Sequence, residues 1–140
     1  MMAYLLDTNV IAESSKAKCD PKVQAWMQSV PPEEFYLSAV TIGEIVRGLE
    51  IMKDSAARRR LTEWWYTNVL PAFDDRVLPV DEAVAERWGQ LKARAKKASY
   101  ALADLDGQIA ATALVHKLPI VTRNKKDFGR TGAMVISPWE

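Results

Sequence analysis

Residues 3–11 read Ala-Tyr-Leu-Leu-Asp-Thr-Asn-Val-Ile. Tyr4, Leu5 and Leu6 form a short apolar run, and the expected element is a buried strand. Asp7 follows without a spacer, then Thr8 and Asn9, before Val10 and Ile11 resume the apolar pattern. A carboxylate at the end of a buried strand is costly unless it is paired, hydrogen-bonded or bound to a cation. Asp7 is therefore either a cap for the next helix or the first piece of a site.

Outward from this stretch, short apolar runs alternate with amphipathic segments. Helices are expected over Val10 to about Ser15 and over Pro21 to Val30, the second capped by Asp20 and halted by Pro31 and Pro32. A strand at 35–37 precedes a helix that starts at Ser38 or Thr41 and runs to about Met52. Another helix, from Ala56 to about Val69, is expected to end before Pro71. A strand at 77–80, a helix capped by Asp81 and running to about Ala98, a helix from Asp104 or Leu105 to Lys117, and strands at 120–122 and 134–136 complete the chain. This alternation predicts an α/β fold, an α/β/α sandwich with a mostly parallel sheet of about five strands. Ligands of such sheets bind outside the carboxyl ends of the strands, where Asp7 stands.

The 140 residues suit a single domain, 1–140, with one core. Apolar residues make up 49% and charged residues 26%, an ordinary globular composition. No apolar run approaches the roughly 20 residues of a membrane span, and the lone Cys19 makes no internal disulfide, so a cytoplasmic protein without a membrane partner is expected. A net charge of +1 neither demands nor excludes a nucleic-acid partner, so the distribution of charge has to decide.

Further acids compete with bland explanations. At 100° per residue, Asp106 shares a side with Ile109, Ala110, Ala113 and Leu114, whereas Asp104 points away from it. Asp104 reads as the helix N-cap, Asp106 as the site residue, although the helix dipole also favours a first-turn carboxylate. The small Ala110 and Ala113 let this helix approach the sheet. Glu44 fits a capping box with Thr41; it also borders a second side with Val40, Gly48 and Ile51. Asp127 follows the fourth strand, where a turn residue is the default.

The cations are grouped. Arg58, Arg59 and Arg60 lie on one helix, and Lys92, Arg94, Lys96 and Lys97 complement the dipole at the end of another. Arg123, Lys125, Lys126 and Arg130 flank Asp127. Cations hold a phosphodiester backbone while carboxylates hold divalent metal, the combination a nuclease needs. His116 neighbours no nucleophile, and no phosphate-cradling glycine loop occurs. The tryptophans, among them Trp64, Trp65 and Trp88, read as core or interface residues rather than base-stacking platforms.

LLDTNVIAE, LSAVTIGEIVRGLE, LDGQIAATALVHKLPIVTRNKKDF and VISPWE, in this order, resemble the PIN-domain ribonucleases, specifically the VapC-type toxins of the FitB-like branch. The resemblance covers essentially the whole chain. It implies a metal-dependent endoribonuclease that uses Mg2+ or Mn2+, forms a homodimer and is inhibited by a VapB-type antitoxin, with higher assembly in that complex. Its catalytic acids fall on Asp7, Glu44, Asp106 and Asp127, with metal at Asp7 and Asp106. Thr8, Asn9, Thr122 and Asn124 become supporting polar groups, and Arg123, Lys125 and Lys126 contact RNA. Gln108, where the family commonly has an apolar residue, and the extra Asp104 depart from the pattern without removing an acid. Two other readings stand beside it: an aspartyl-phosphate phosphatase with Asp7 as nucleophile, against which Asn9 replaces the usual second aspartate, and a non-catalytic PIN-like interaction module, against which all four acids are retained.

Overall fold

In the computed structural model, which describes residues 2–140, β1 (Tyr4–Leu6) is the middle strand of a five-stranded sheet. The other elements are α1 (Thr8–Ser14), α2 (Pro21–Gln28), β2 (Phe35–Ser38), α3 (Ala39–Ile51), α4 (Ala56–Trp64), α5 (Leu70–Phe73), β3 (Val77–Leu78), α6 (Glu82–Lys97), α7 (Asp104–His116), β4 (Ile120–Val121), α8 (Lys125–Phe128) and β5 (Val135–Ile136). The strand order is β3-β2-β1-β4-β5 and every neighbouring pair is parallel. Leu5 pairs with Tyr36 on one side and Ile120 on the other. The order reverses direction at β1, so the carboxyl ends of β1 and β4 flank the crevice where such sheets bind ligands.

Side chains alternate across a strand, and here both faces are covered. Leu5 and Ile120 pack with Val84 and Leu91 of α6 and Ile109 and Ala110 of α7. Leu6 and Val121 pack on the opposite face with Val10, Ile11, Leu49 and Trp65. No helix among the described residues is long and apolar enough to cross a membrane.

Several expected boundaries move. α1 begins at Thr8 rather than Val10, directly after Asp7, whose side chain accepts from the Thr8 N–H. Ser38, not Thr41, caps α3 by accepting from Val40 N–H. Ala103 takes the N-cap position of α7 in place of Asp104. Asp104 instead sits exposed in the first turn and pairs with Lys92 at 2.9 Å. The helix expected to stop before Pro71 continues through a π-helical segment, Trp65–Val69, into α5. Proline lacks an N–H and its ring presses on the carbonyl four residues back in an α-helix. Just before it, the Leu70 N–H reaches back to Trp65 C=O, a wider turn that accommodates the break.

α7 is buried on more sides than the spacing suggested: Ala111 and Thr112 are inaccessible along with Ile109, Ala110 and Ala113. Its first turn touches α6 closely, since a Cβ at Gly107 would lie 3.0 Å from Trp88 Cδ1 and 3.1 Å from Trp88 Nε1. Alanine at this position gains about 1 kcal/mol of helix propensity against an overpacking cost of about 1–3 kcal/mol. We expect Gly107→Ala to lower the urea midpoint, and to lower any activity that depends on the neighbouring Asp106.

Candidate active site

Asp7 leaves the end of β1 with extended backbone and turns its carboxylate into the switch-point crevice. The residue is only 5% exposed. Its Oδ1 accepts from Thr8 N–H at 2.8 Å, and its Oδ2 accepts from the Thr122 hydroxyl at 2.8 Å and Asn9 Nδ2 at 3.4 Å. Capping and site-building are thus not alternatives here: one carboxylate oxygen caps α1 while the other is held from the end of β4.

Thr122 is the hub of the polar network. Its hydroxyl donates to Asp7 and accepts from Asn9 Nδ2 at 3.1 Å and from Asn124 N–H at 3.0 Å. Asn9 Oδ1 in turn accepts from Arg123 N–H at 3.2 Å. Asn124 enters through its backbone, and its side chain does not cap α8. On the other side of Asp7, the Thr8 hydroxyl donates to Glu44 Oε1 at 2.8 Å. Glu44 therefore points to the end of β1 rather than back to Thr41.

The electrostatics show that the acids converge. Burial raises the Asp7 carboxyl above its ordinary value, the Thr122 and Thr8 hydrogen bonds oppose this, and the Asp127 charge adds to it. Burial also raises Glu44, with the Thr8 bond opposing and the Asp7 charge reinforcing. Asp106 is pushed up to about 6, first by burial, then by the charges of Asp7, Asp127 and Glu44. Asp106 is half-buried at the start of α7, while Asp127 is exposed on α8. Among the described residues, no Lys or Arg forms a salt bridge with any of the four. Like charges gathered without a counter-ion raise one another's pKa, and a cation relieves this.

The donor set suits a hard divalent cation, since every group is an oxygen ligand. Among the described residues, no three acids stand close enough to enclose an ion unaided. A cavity of about 670 Å3 is lined by Lys92, Lys96 and Tyr100 and by none of the four acids.

Two features carried no signal in the sequence reading. Glu13 is buried on α1, where it accepts from Lys16 Nζ at 3.1 Å and Asp20 N–H at 3.0 Å. These partners hold its carboxyl below the ordinary range, so it pins the 15–20 turn. The Trp139 ring centroid lies 5.6 Å from the Arg123 guanidinium carbon; the sequence reading gave it only the core-or-interface role it gave every tryptophan, with no link to the site.

Comparison with known proteins agrees with this fold. The PIN domain family matches residues 4–134. The chain is 38% identical over 135 residues to Toxin FitB of Neisseria gonorrhoeae, covering 96% of this chain and 97% of that one. It is 39% identical over 136 residues to the VapC ribonuclease Y4jK of Sinorhizobium fredii, covering 97% of each. The crystal structure of FitAcB from Neisseria gonorrhoeae superposes with a TM-score of 0.92 at 37% identity, over 98% of this chain and 99% of that one. The chain belongs to the PIN-domain family and, within it, to the branch that contains the FitB and VapC toxins.

Proposed function

We propose that this chain is a divalent-metal-dependent endoribonuclease and the toxin of a VapBC-type pair. The observation that carries the reading is the gathering of Asp7, Glu44, Asp106 and Asp127 at one rim of the sheet, none of them in a salt bridge among the described residues. The ribonuclease name of a relative matched over 97% of the chain supports the substrate class.

Asp7 and Asp106 would hold Mg2+ or Mn2+, with Glu44 and Asp127 beside them. When bound, the ion supplies Lewis-acid stabilisation of charge on the phosphodiester. Thr122 and the Thr8 N–H fix the orientation of Asp7. The Thr8 hydroxyl fixes Glu44 through Oε1, which leaves Oε2 to take a proton from the attacking water. Arg123, Lys125 and Lys126 border Asp127 and hold the RNA backbone. The phosphatase reading lacks its second aspartate: Asn9 stands there instead, and its side-chain amide bonds Thr122 within the polar network. The test is cleavage of bulk RNA: activity with Mg2+ or Mn2+, loss with excess EDTA and recovery on adding metal are expected. Cleavage that survives EDTA contradicts the reading.

A nuclease active on its host's RNA has to be restrained, and one face is shaped for the restraint. An apolar groove of about 210 Å3, lined by Ile45, Leu49, Leu61 and Trp64, reaches Thr8 and Glu44. Of the three consecutive aromatics, Trp65 is fully buried, Trp64 lines this groove and Tyr66 is 51% exposed. A VapB-type antitoxin would lay an amphipathic helix here and bring an Arg or Lys to the acids. Trp64→Ala should weaken antitoxin binding by about 2 kcal/mol or more, as for a central aromatic anchor, and calorimetry of the pair checks it. Assembly as a homodimer belongs to the same proposal, and sedimentation of the isolated chain tests it.

A further inference from the structure

The cleft beside Asp127 has a lining that the acid site does not explain. One wall carries Arg123, Lys125, Lys126 and Asp127, and the segment 137–140 supplies the other through Trp139 and Glu140. They surround about 500 Å3, within the roughly 300–1,000 Å3 of pockets that take small organic groups. The Arg123 guanidinium carbon stands 5.6 Å from the centroid of the Trp139 ring, within cation–π range. Trp139 is half-buried and rests on the apolar cluster around Val121 and Leu6, so the core anchors the indole. The Arg123 N–H is tied to Asn9, which also bonds Thr122 and Asp7. The Arg123 backbone and the Trp139 indole are thus both anchored beside the acid site.

The cations of this cleft are not all free. Lys125 Nζ lies 3.0 Å from Glu140 Oε2, with the two side chains 52% and 65% exposed. An ion pair this exposed is weak and yields to a better anion. Arg123 and Lys126 form no salt bridge among the described residues. Single-stranded RNA is recognised by unstacked bases laid on aromatic rings or guanidinium planes, with cations along the backbone. A duplex offers no free base face to such a platform.

We propose that this cleft is a nucleotide subsite, in which a base of single-stranded RNA next to the scissile bond stacks on the Arg123–Trp139 platform. The neighbouring phosphate takes Lys125 from Glu140, and Lys126 adds a second contact. The inference rests on the ribonuclease reading and adds which residues of this cleft receive a nucleotide beside the scissile bond. Trp139 here departs from the expectation that the tryptophans are core or interface residues only.

The test is the affinity of a labelled single-stranded RNA oligonucleotide for the full chain in EDTA, read by fluorescence anisotropy. Trp139→Ala should raise Kd about tenfold or more, the loss expected for one base–aromatic stack, and Trp139→Phe should restore most of it. Glu140→Gln should lower Kd by about two- to fivefold, because phosphate no longer competes with a carboxylate for Lys125. Loosened packing does not tighten binding, so this change of sign separates a subsite from a structural role. Should Trp139→Ala fail to fold, Trp139→Leu, which keeps an apolar side chain on the core but no aromatic face, decides in its place. Wild-type protein that binds and cleaves RNA, with Kd unchanged to within twofold in Trp139→Ala and Glu140→Gln, overturns the subsite and leaves the ribonuclease reading intact. Wild-type protein that neither binds nor cleaves RNA overturns both.

Discussion

Asp106→Asn is expected to abolish RNA cleavage and, without metal at neutral pH, to make the protein more stable. The carboxyl rises from an ordinary 3.8 to about 6 in the folded state, through burial and three neighbouring charges. A carboxyl with a higher folded than unfolded pKa makes stability fall as pH rises between the two values. Below 3.8 both states are protonated and there is no penalty; above about 6 it is fully present. A shift of this size corresponds to about 3 kcal/mol, and solvent screening at a half-buried carboxyl reduces it to about 1–2 kcal/mol. The variant should gain that much near pH 7 and nothing below pH 4, as urea unfolding in EDTA will read. Asp104→Asn is the control two residues away. It breaks an exposed pair with Lys92, costs about 1 kcal/mol or less and leaves cleavage near wild type. Reversal of the two results would place the site on the wrong side of α7.

Asp7→Asn is the second large effect. It changes little volume but removes the charge at the switch-point crevice, and cleavage should fall to background. The amide still accepts from the Thr8 N–H through Oδ1. Its NH2 group, however, meets a Thr122 hydroxyl that already accepts from Asn9 and Asn124, so that hydroxyl loses its acceptor. Against this loss stands relief of a buried charge, and burial is the leading cause of the raised Asp7 pKa. A melting temperature in EDTA equal to or above wild type is expected. A folded Asp7→Asn variant with full, metal-stimulated cleavage would remove Asp7 from the chemistry.

The fold was legible where local pattern and tertiary environment agree. The run Tyr4-Leu5-Leu6 became the middle strand because an uninterrupted apolar run fits a strand covered on both faces. The side of α7 that carries Asp106 followed from helical spacing, since its first turn is exposed at Asp104 and half-buried at Asp106. Local pattern left the role of Glu44 open, and only the family resemblance placed it among the acids. Its partner Thr8 lies 36 positions away, and a local capping box with Thr41 explained the same residues equally well. Pro71 misled for a related reason: the break it forces was absorbed by a π-helical turn around the buried Trp65. Trp139 and Glu140 gained meaning only when the end of β5 was placed beside α8, a non-local arrangement with no periodic signal.

Calorimetric titration of the full chain with Mn2+ near pH 6, in two buffers of different ionisation enthalpy, tests the central claim most directly. Metal ligands must be deprotonated to bind, and Asp106 is partly protonated near its pKa of about 6. Saturable binding with release of protons is expected, reduced severely in both Asp7→Asn and Asp106→Asn. No binding to the wild type, or binding that is the same in these two variants, would contradict a divalent-metal site built from these carboxylates.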